Sequence, residues 1–280
     1  AKIPVPYKTI SGYGDFQLLR NQNMTNWLGI GLAFFNDKAG DGDLALTQTQ
    51  LSVAYHVQMG EYSMLSAGIY GGYVERSVDF SKVTFDLQWD GFKFDRNIPN
   101  GEKASVIKTN FIDFGAGVNY AMFPNENTYI KIGVAAAHVN APKESFYNFD
   151  NKVGLRPTAN IDGMFKLNGG SFTLNPSIYY TTQKGAYELL YGTLVLIYVG
   201  GEKQTTTNLV LGAFHRWDEA IVGAFGLQFG GLKVMSSFDF TMSKLSSTTK
   251  SNGAMEFGLI YQGMYGSGSG SRESMNCPRF

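Results

Sequence analysis

Cysteine is nearly absent from this sequence: Cys277 stands alone among 280 residues. That excludes an internal disulfide and a metal centre built on paired thiolates. Net charge is also missing, because 23 basic residues balance 23 acidic ones. Without a cationic excess, neither nucleic acid nor an anionic membrane surface is a fitting main partner. Charged residues of both signs reach only 16%, against about 25% in soluble domains. No apolar run of about 18 residues occurs, so no transmembrane helix can be built.

Glycine and aromatic residues are abundant instead. There are 34 Gly, 21 Phe and 16 Tyr, while the mean hydropathy is slightly negative at −0.13. Scarce charge and many aromatics, with no helical span, fit a chain that crosses a membrane with strands. The hydropathy pattern supports this directly. Ile112, Phe114, Ala116, Val118, Tyr120 and Met122 alternate with Asp113, Gly115, Gly117 and Asn119. Leu232, Val234, Phe238 and Phe240 alternate with Lys233, Ser237, Asp239 and Thr241. Similar alternation recurs at 27–36, 172–181 and 255–262. A period of two separates the faces of a strand, whereas a helix would mix these sets. The segments run to roughly 10–15 residues, the length a tilted membrane strand needs and more than the 5–6 typical of soluble strands.

Thirteen strands are expected, over 7–20, 26–36, 44–58, 62–76, 106–122, 128–139, 154–167, 171–183, 187–199, 205–216, 219–230, 232–244 and 252–263. The implied fold is all-β: a transmembrane antiparallel up-and-down β-barrel across residues 1–265, with a Gly/Ser-rich tail at 266–280. Bacterial barrels close with even numbers, so fourteen strands are expected in the full protein, the missing one before Ala1, where a cleaved leader is also expected. Long connections at 77–105 and 140–153 are expected outside the cell.

Catalytic and metal motifs are weak. His56, His138 and His215 fall near the ends of three separate strands, and no G-x-S-x-G elbow is present. These histidines are read as interfacial or lumen residues, and no catalytic residue is assigned. Asp37, Asp41 and Asp43 lie close together but lack the spacing and closing Glu of a calcium loop. They are read as a solvated turn, with no metal. Gly29-Ile30-Gly31 and Gly115-Ala116-Gly117 lie inside strands with no helix following, so no phosphate loop forms. Asp113, Lys131, Asp162, Lys166, Lys233, Asp239 and Glu256 fall on the lumen face with mixed sign, which suggests internal pairing.

Several stretches resemble the PorP/SprF family. Gly29-Ile30-Gly31-Leu32-Ala33-Phe34-Phe35-Asn36-Asp37-Lys38-Ala39-Gly40 resembles its signature strand and loop, with Asn36, Asp37, Lys38, Ala39 and Gly40 as the loop. Gln50-Leu51-Ser52-Val53-Ala54-Tyr55-His56, Gly72-Tyr73-Val74-Glu75-Arg76, Leu174-Asn175-Pro176-Ser177 and Phe214-His215-Arg216-Trp217-Asp218-Glu219 follow in family order. The resemblance implies an outer-membrane barrel of the type IX secretion and gliding machinery of Bacteroidota. It also implies partners: a secreted surface protein or adhesin with a C-terminal sorting domain, periplasmic or peptidoglycan-linked components, and the lipid and lipopolysaccharide around the barrel. No cofactor and no nucleic acid are implied.

A barrel of about fourteen strands is too narrow to pass a folded protein. Docking and anchoring, or assistance with export, is therefore the expected role. Aromatic residues dominate binding hot spots, so Phe85, Trp89, Phe92, Phe94, Phe146, Tyr147 and Phe149 of the long loops are the expected anchors. The alternative is a passive solute channel or transporter, and an outer-membrane enzyme is a third class.

Overall fold

The computed structural model describes residues 7–19, 25–40, 42–102, 106–147, 149–201, 206–243 and 252–263. Thirteen strands form one sheet in which each pairs only with its chain neighbours. They are β1 (Lys8–Leu18), β2 (Asn26–Ala39), β3 (Leu44–Gln58), β4 (Ser63–Asp79), β5 (Val106–Asn125), β6 (Thr128–Ala137), β7 (Arg156–Leu167), β8 (Phe172–Gln183), β9 (Ala186–Gly200), β10 (Thr207–Arg216), β11 (Ala220–Phe229), β12 (Leu232–Thr241) and β13 (Asn252–Tyr261). Every pairing is antiparallel. All thirteen expected strands are present, in an up-and-down order, and among the described residues no helix is long and apolar enough to cross a membrane.

β1 and β13 end the order, and no pairing between them occurs among the described residues. Both run in the same direction, so bonding them to each other would be parallel. An all-antiparallel closure needs one further strand. The expected fourteenth strand, the tail from 266 and Cys277 lie outside the described residues.

The registers carry one apolar face around the whole sheet. Ile30 lies opposite Val53, Val53 opposite Ile69, and Ile69 opposite Ala116. Ile132 lies opposite Ile161, and Ile161 opposite Ile178. These side chains point away from the lumen and are open to the surroundings, with Ile69 66% exposed. Meanwhile, among the described residues, the buried apolar ones are only Met64, Val74, Ala121, Tyr129, Val210 and Ala220. Such a surface has no place in water, where large contiguous apolar patches drive association. Placed in lipid, it is the solvated face. Tyr55 and Tyr120 stand outward near one rim, and Tyr73, Tyr180 and Trp217 near the other. This is the aromatic girdle expected at both membrane interfaces.

Some strand bounds differ from the sequence expectation. β2 continues through Ala39 because Asp37, Lys38 and Ala39 pair with Leu46, Ala45 and Leu44. The Asn36–Ala39 part of the signature is therefore strand, and only Gly40 is turn. β5 continues past Phe123-Pro124, where the register shifts between Met122 and Asn125. A bulge accommodates the proline, which has no amide to give the ladder.

The up-and-down order puts the connections β2–β3, β4–β5, β6–β7, β8–β9, β10–β11 and β12–β13 at one end of the sheet, the two longest among them, and the remaining connections at the other. Long loops mark the cell exterior, so the signature turn, both long loops and His138 and His215 belong to that end. β5 has 20 residues, about twice the 9–11 a tilted span requires. With β4 it forms a wall that rises above the membrane on the outer side.

An outward charge at mid-membrane should be costly and an inward one tolerated. Ile69→Arg is expected to lower stability in lipid vesicles by about 2–4 kcal/mol. Gln50→Arg, which faces the lumen, should cost under about 1 kcal/mol. Urea unfolding of the two variants measures the difference.

Candidate functional site

The outer end is built from the signature turn upward. Asn36 Nδ2 donates to Thr47 Oγ1 at 2.8 Å, and Asp37 accepts the Thr9 hydroxyl at 2.5 Å. Gly40 has φ +78 with nothing near a built Cβ, so its backbone conformation is the reason for glycine there. The turn is stitched to the long loop beyond β4. The Asp79 amide donates to the Gly42 carbonyl at 2.8 Å, and the Lys82 ammonium pairs with Asp43. That ammonium holds the Asp43 carboxyl below the usual carboxylate range. Asp37 lies in β2 and not in the expected turn, and both it and Asp43 are committed to protein partners. No cluster of metal-ligating side chains occurs among the described residues.

The loop after β4 starts with a short 3-10 turn at Phe80–Lys82, and Phe80 meets Phe85 edge-on at 5.5 Å. A second turn spans Asp86–Gln88. Gln88 is the loop's one buried residue among those described, and it ties the segment together. Its Nε2 donates to the Ile98 carbonyl at 2.9 Å, and its Oε1 accepts the Phe85 amide at 3.1 Å. From it springs a small hairpin, with Trp89 bridged to Phe94 and their rings in contact at 5.0 Å. At the tip, Asp90 Oδ1 accepts the amides of Phe92 and Lys93, both at 2.8 Å. Those amides hold the Asp90 carboxyl below its ordinary range. Leu87, Trp89 and Phe94 are exposed, and Phe92 is 93% exposed at the tip.

The loop after β6 behaves differently: it turns inward. β6 ends at Ala137, leaving the upper part of β5 without a ladder partner on that side. Asn140 fills the place of a strand residue. Its Nδ2 donates to the Ile112 carbonyl at 2.7 Å, and its Oδ1 accepts the Phe114 amide at 3.2 Å. The loop then reaches the lumen wall, where Glu144 pairs with Arg76 at 2.8 Å. Beneath it, Asp113 is wholly buried. It accepts the Tyr70 hydroxyl at 2.9 Å and contacts His138 Nδ1 at 2.8 Å. Ser145 Oγ accepts the amides of Phe149 and Tyr147, which sets out the aromatic segment. Tyr147 is exposed and Phe149 is 74% exposed, while Phe146 is half-buried.

Phe85, Trp89, Phe92 and Phe94 thus share one loop, and Phe146, Tyr147 and Phe149 another, both at the same end. No ring contact joins the two sets among the described residues. The histidines take the structural places expected of them. His56 stacks on Trp27 at 5.0 Å and bonds Ser66, inside the opposite rim. His215 packs outward against Tyr191 and Trp217. Of the lumen charges, Lys131 pairs with Asp162 at 3.3 Å and Asp239 with Arg216 at 3.1 Å. Lys166, Lys233 and Glu256 make no ion pair among the described residues. Sequence reasoning missed Gln88, Asn140, Arg76 and Glu144. Only Asp113 carried a signal, a carboxylate in the middle of an otherwise small-residue lumen face.

A lipid-facing belt, two aromatic rims, a polar lumen with part of its charge paired and loops grown from one end define the class: an integral β-barrel of a bacterial outer membrane. The chain belongs to the PorP/SprF family of type IX secretion system membrane proteins, whose model matches residues 2–261. No curated protein matches it. Among solved structures it is similar to a Pseudomonas aeruginosa FadL homologue, at 10% identity and TM-score 0.46, covering 82% of this chain and 69% of that one. It is also similar to the ferric-catecholate import receptor Fiu from E. coli K12 in its open form, at 9% identity and TM-score 0.38. That likeness covers 84% of this chain and 41% of the receptor.

Two outcomes test this geometry. Gln88→Ala should speed proteolytic cleavage within 86–98 while the strands stay intact, read by mass mapping of the fragments. The Asp90 contribution has a definite pH sign: a depressed folded pKa gives stability above the unfolded value of about 3.9 that is lost as pH falls through the lower folded value. Hydrogen-exchange protection of the Phe92 and Lys93 amides should hold above about pH 4 and fall as the pH drops further.

Proposed function

We propose that this barrel docks and anchors a secreted surface protein, or assists its export, by gripping the partner's C-terminal sorting domain from outside the cell. The observation that carries this reading is the hairpin at 89–94. Exposed Trp89 and Phe94 form one ring pair, with Phe92 projecting from the tip beyond it, on a hydrogen-bonded support rooted in the β4–β5 wall. Exposed aromatic rings presented on an ordered support suit a protein hot spot. A loop that only packed on itself would bury these rings. The aromatics at 146–149 supply a second contact around the same rim. Periplasmic or peptidoglycan-linked components of the secretion machinery would meet the opposite rim, with its short turns.

The role is non-catalytic in this reading: His138 is engaged by Asp113 and His215 by Tyr191, while His56, which bonds the Ser66 hydroxyl, is stacked on Trp27 inside the opposite rim, away from the outer loops. Affinity co-purification from mild detergent tests the proposal. Trp89→Ala with Phe92→Ala should cut recovery of the secreted partner by roughly tenfold or more, with heat-modifiable migration of the barrel unchanged. Undiminished recovery would sink the proposal.

A further inference from the structure

The inturned loop after β6 roofs a cavity in the outer mouth of the lumen, with a volume of about 280 Å³. We propose that this cavity binds a carboxylate carried on a short apolar stem.

The charges around it do not balance. Arg76, Lys152, Arg156 and Lys184 line it, against one acidic side chain, Glu144. Glu144 is taken by Arg76 at 2.8 Å. Asp113 lies behind the wall with no exposure, already bonded by Tyr70 and His138. Asp150, which lies near Lys152, is paired with Lys143 at 3.1 Å. Counting Asp113 as well as Glu144, the four cations still exceed the acids facing them by two. Arg156 has no ion pair among the described residues. It is exposed at the start of β7, with its planar fork of donors available. A guanidinium of this kind matches a carboxylate bidentately.

The cationic wall is held in place. The Lys184 stem crosses Gly154, where a Cβ would stand 2.7 Å from its Cγ. Its ammonium donates to the Lys152 carbonyl. Gln183 Nε2 donates to the Gly154 carbonyl at 2.8 Å. The loop is closed on itself by Val153 bonding Pro142 and Glu144 bonding Asn151, both at 2.9 Å. Arg156, Lys152 and Lys184 are thus brought to one side by backbone contacts, with no ion pair to neutralise them among the described residues.

The remaining lining sets the ligand class. Leu46, Val74, Phe111 and Val153 offer apolar walls, which suits a short hydrocarbon next to the charged group. The volume falls just below the roughly 300–1,000 Å³ of drug-sized sites, so only a small group fits. Two sources share this chemistry: the free C-terminus of a protein chain ending in an apolar residue, and a free short-chain carboxylic acid. The cavity does not depend on the aromatic hairpin, so this inference stands apart from the docking role.

The experiment uses the whole chain in detergent and saturation-transfer NMR with three probes. They are acetyl-Ala-Ala-Leu with a free end, the same peptide amidated, and hexanoate. At least one free carboxylate should bind below about 10 mM, and the amidated peptide should not. Binding of the free peptide alone points to a chain end, and binding of hexanoate alone to a small acid; either supports the site. Arg156→Gln should weaken binding by roughly tenfold or more, while Phe92→Ala leaves it unchanged. Equal binding of free and amidated peptide, no binding by any probe, or full binding by the folded Arg156→Gln variant would overturn the proposal.

Discussion

An amide inside hydrocarbon has no water to bond, and leaving it unpaired costs several kcal/mol. Every strand that crosses the membrane must therefore find a neighbour along the whole of the crossing. The unbroken order from β1 to β13, each strand bonded to the next, is the structural answer. The same pressure persists just past the ladder. Where β6 stops at Ala137, the side chain of Asn140 takes over, offering β5 an amide donor and a carbonyl acceptor in place of backbone. Once the pairing is fixed, the pleat sends alternate side chains to opposite faces. The apolar set must then face lipid, and the small and polar set the lumen.

The lumen obeys a second rule, that charges removed from bulk water are stabilised by partners. Asp113 with Tyr70 and His138, Lys131 with Asp162, and Arg216 with Asp239 all follow it. Lys166, Lys233 and Glu256, which make no ion pair among the described residues, depart from it, as does the outer mouth with its surplus of cations. Above the membrane both constraints relax, and the chain spends its length differently. The overlong β4–β5 pair lifts one loop outward to display aromatic rings, while the next loop folds inward over the lumen. The two loops look alike in composition yet carry opposite tasks, because one is anchored to its own buried Gln88 and the other to Arg76 on the lumen wall.

This contrast explains how much could be seen in the sequence. The strands were legible because period-two alternation is local and repeated: Leu51, Val53 and Tyr55 announce their face without reference to any other strand. Bounds were less so. Asn36–Ala39 looks like a loop by composition, and only its pairing with Leu44–Thr47 makes it strand. Pro124 looks like a break, yet a bulge lets β5 run on. The aromatic loop residues were legible as a set, but not their division into an outward hairpin and an inward roof. That division rests on single contacts between residues far apart in the chain, such as Glu144 with Arg76, and no periodicity records them.

The central claim is that one face of each strand is solvated by lipid and the other is not. A nitroxide scan over residues 47–57 of β3, with Cys277 replaced by Ser and the barrel in lipid vesicles, tests it most directly. The account predicts that labels at 49, 51, 53 and 55 are relaxed chiefly by oxygen dissolved in the bilayer. Labels at 48, 50, 52 and 54 should respond chiefly to a water-soluble nickel chelate, in strict alternation. Equal response at neighbouring positions, or an alternation with the opposite phase, would contradict the account.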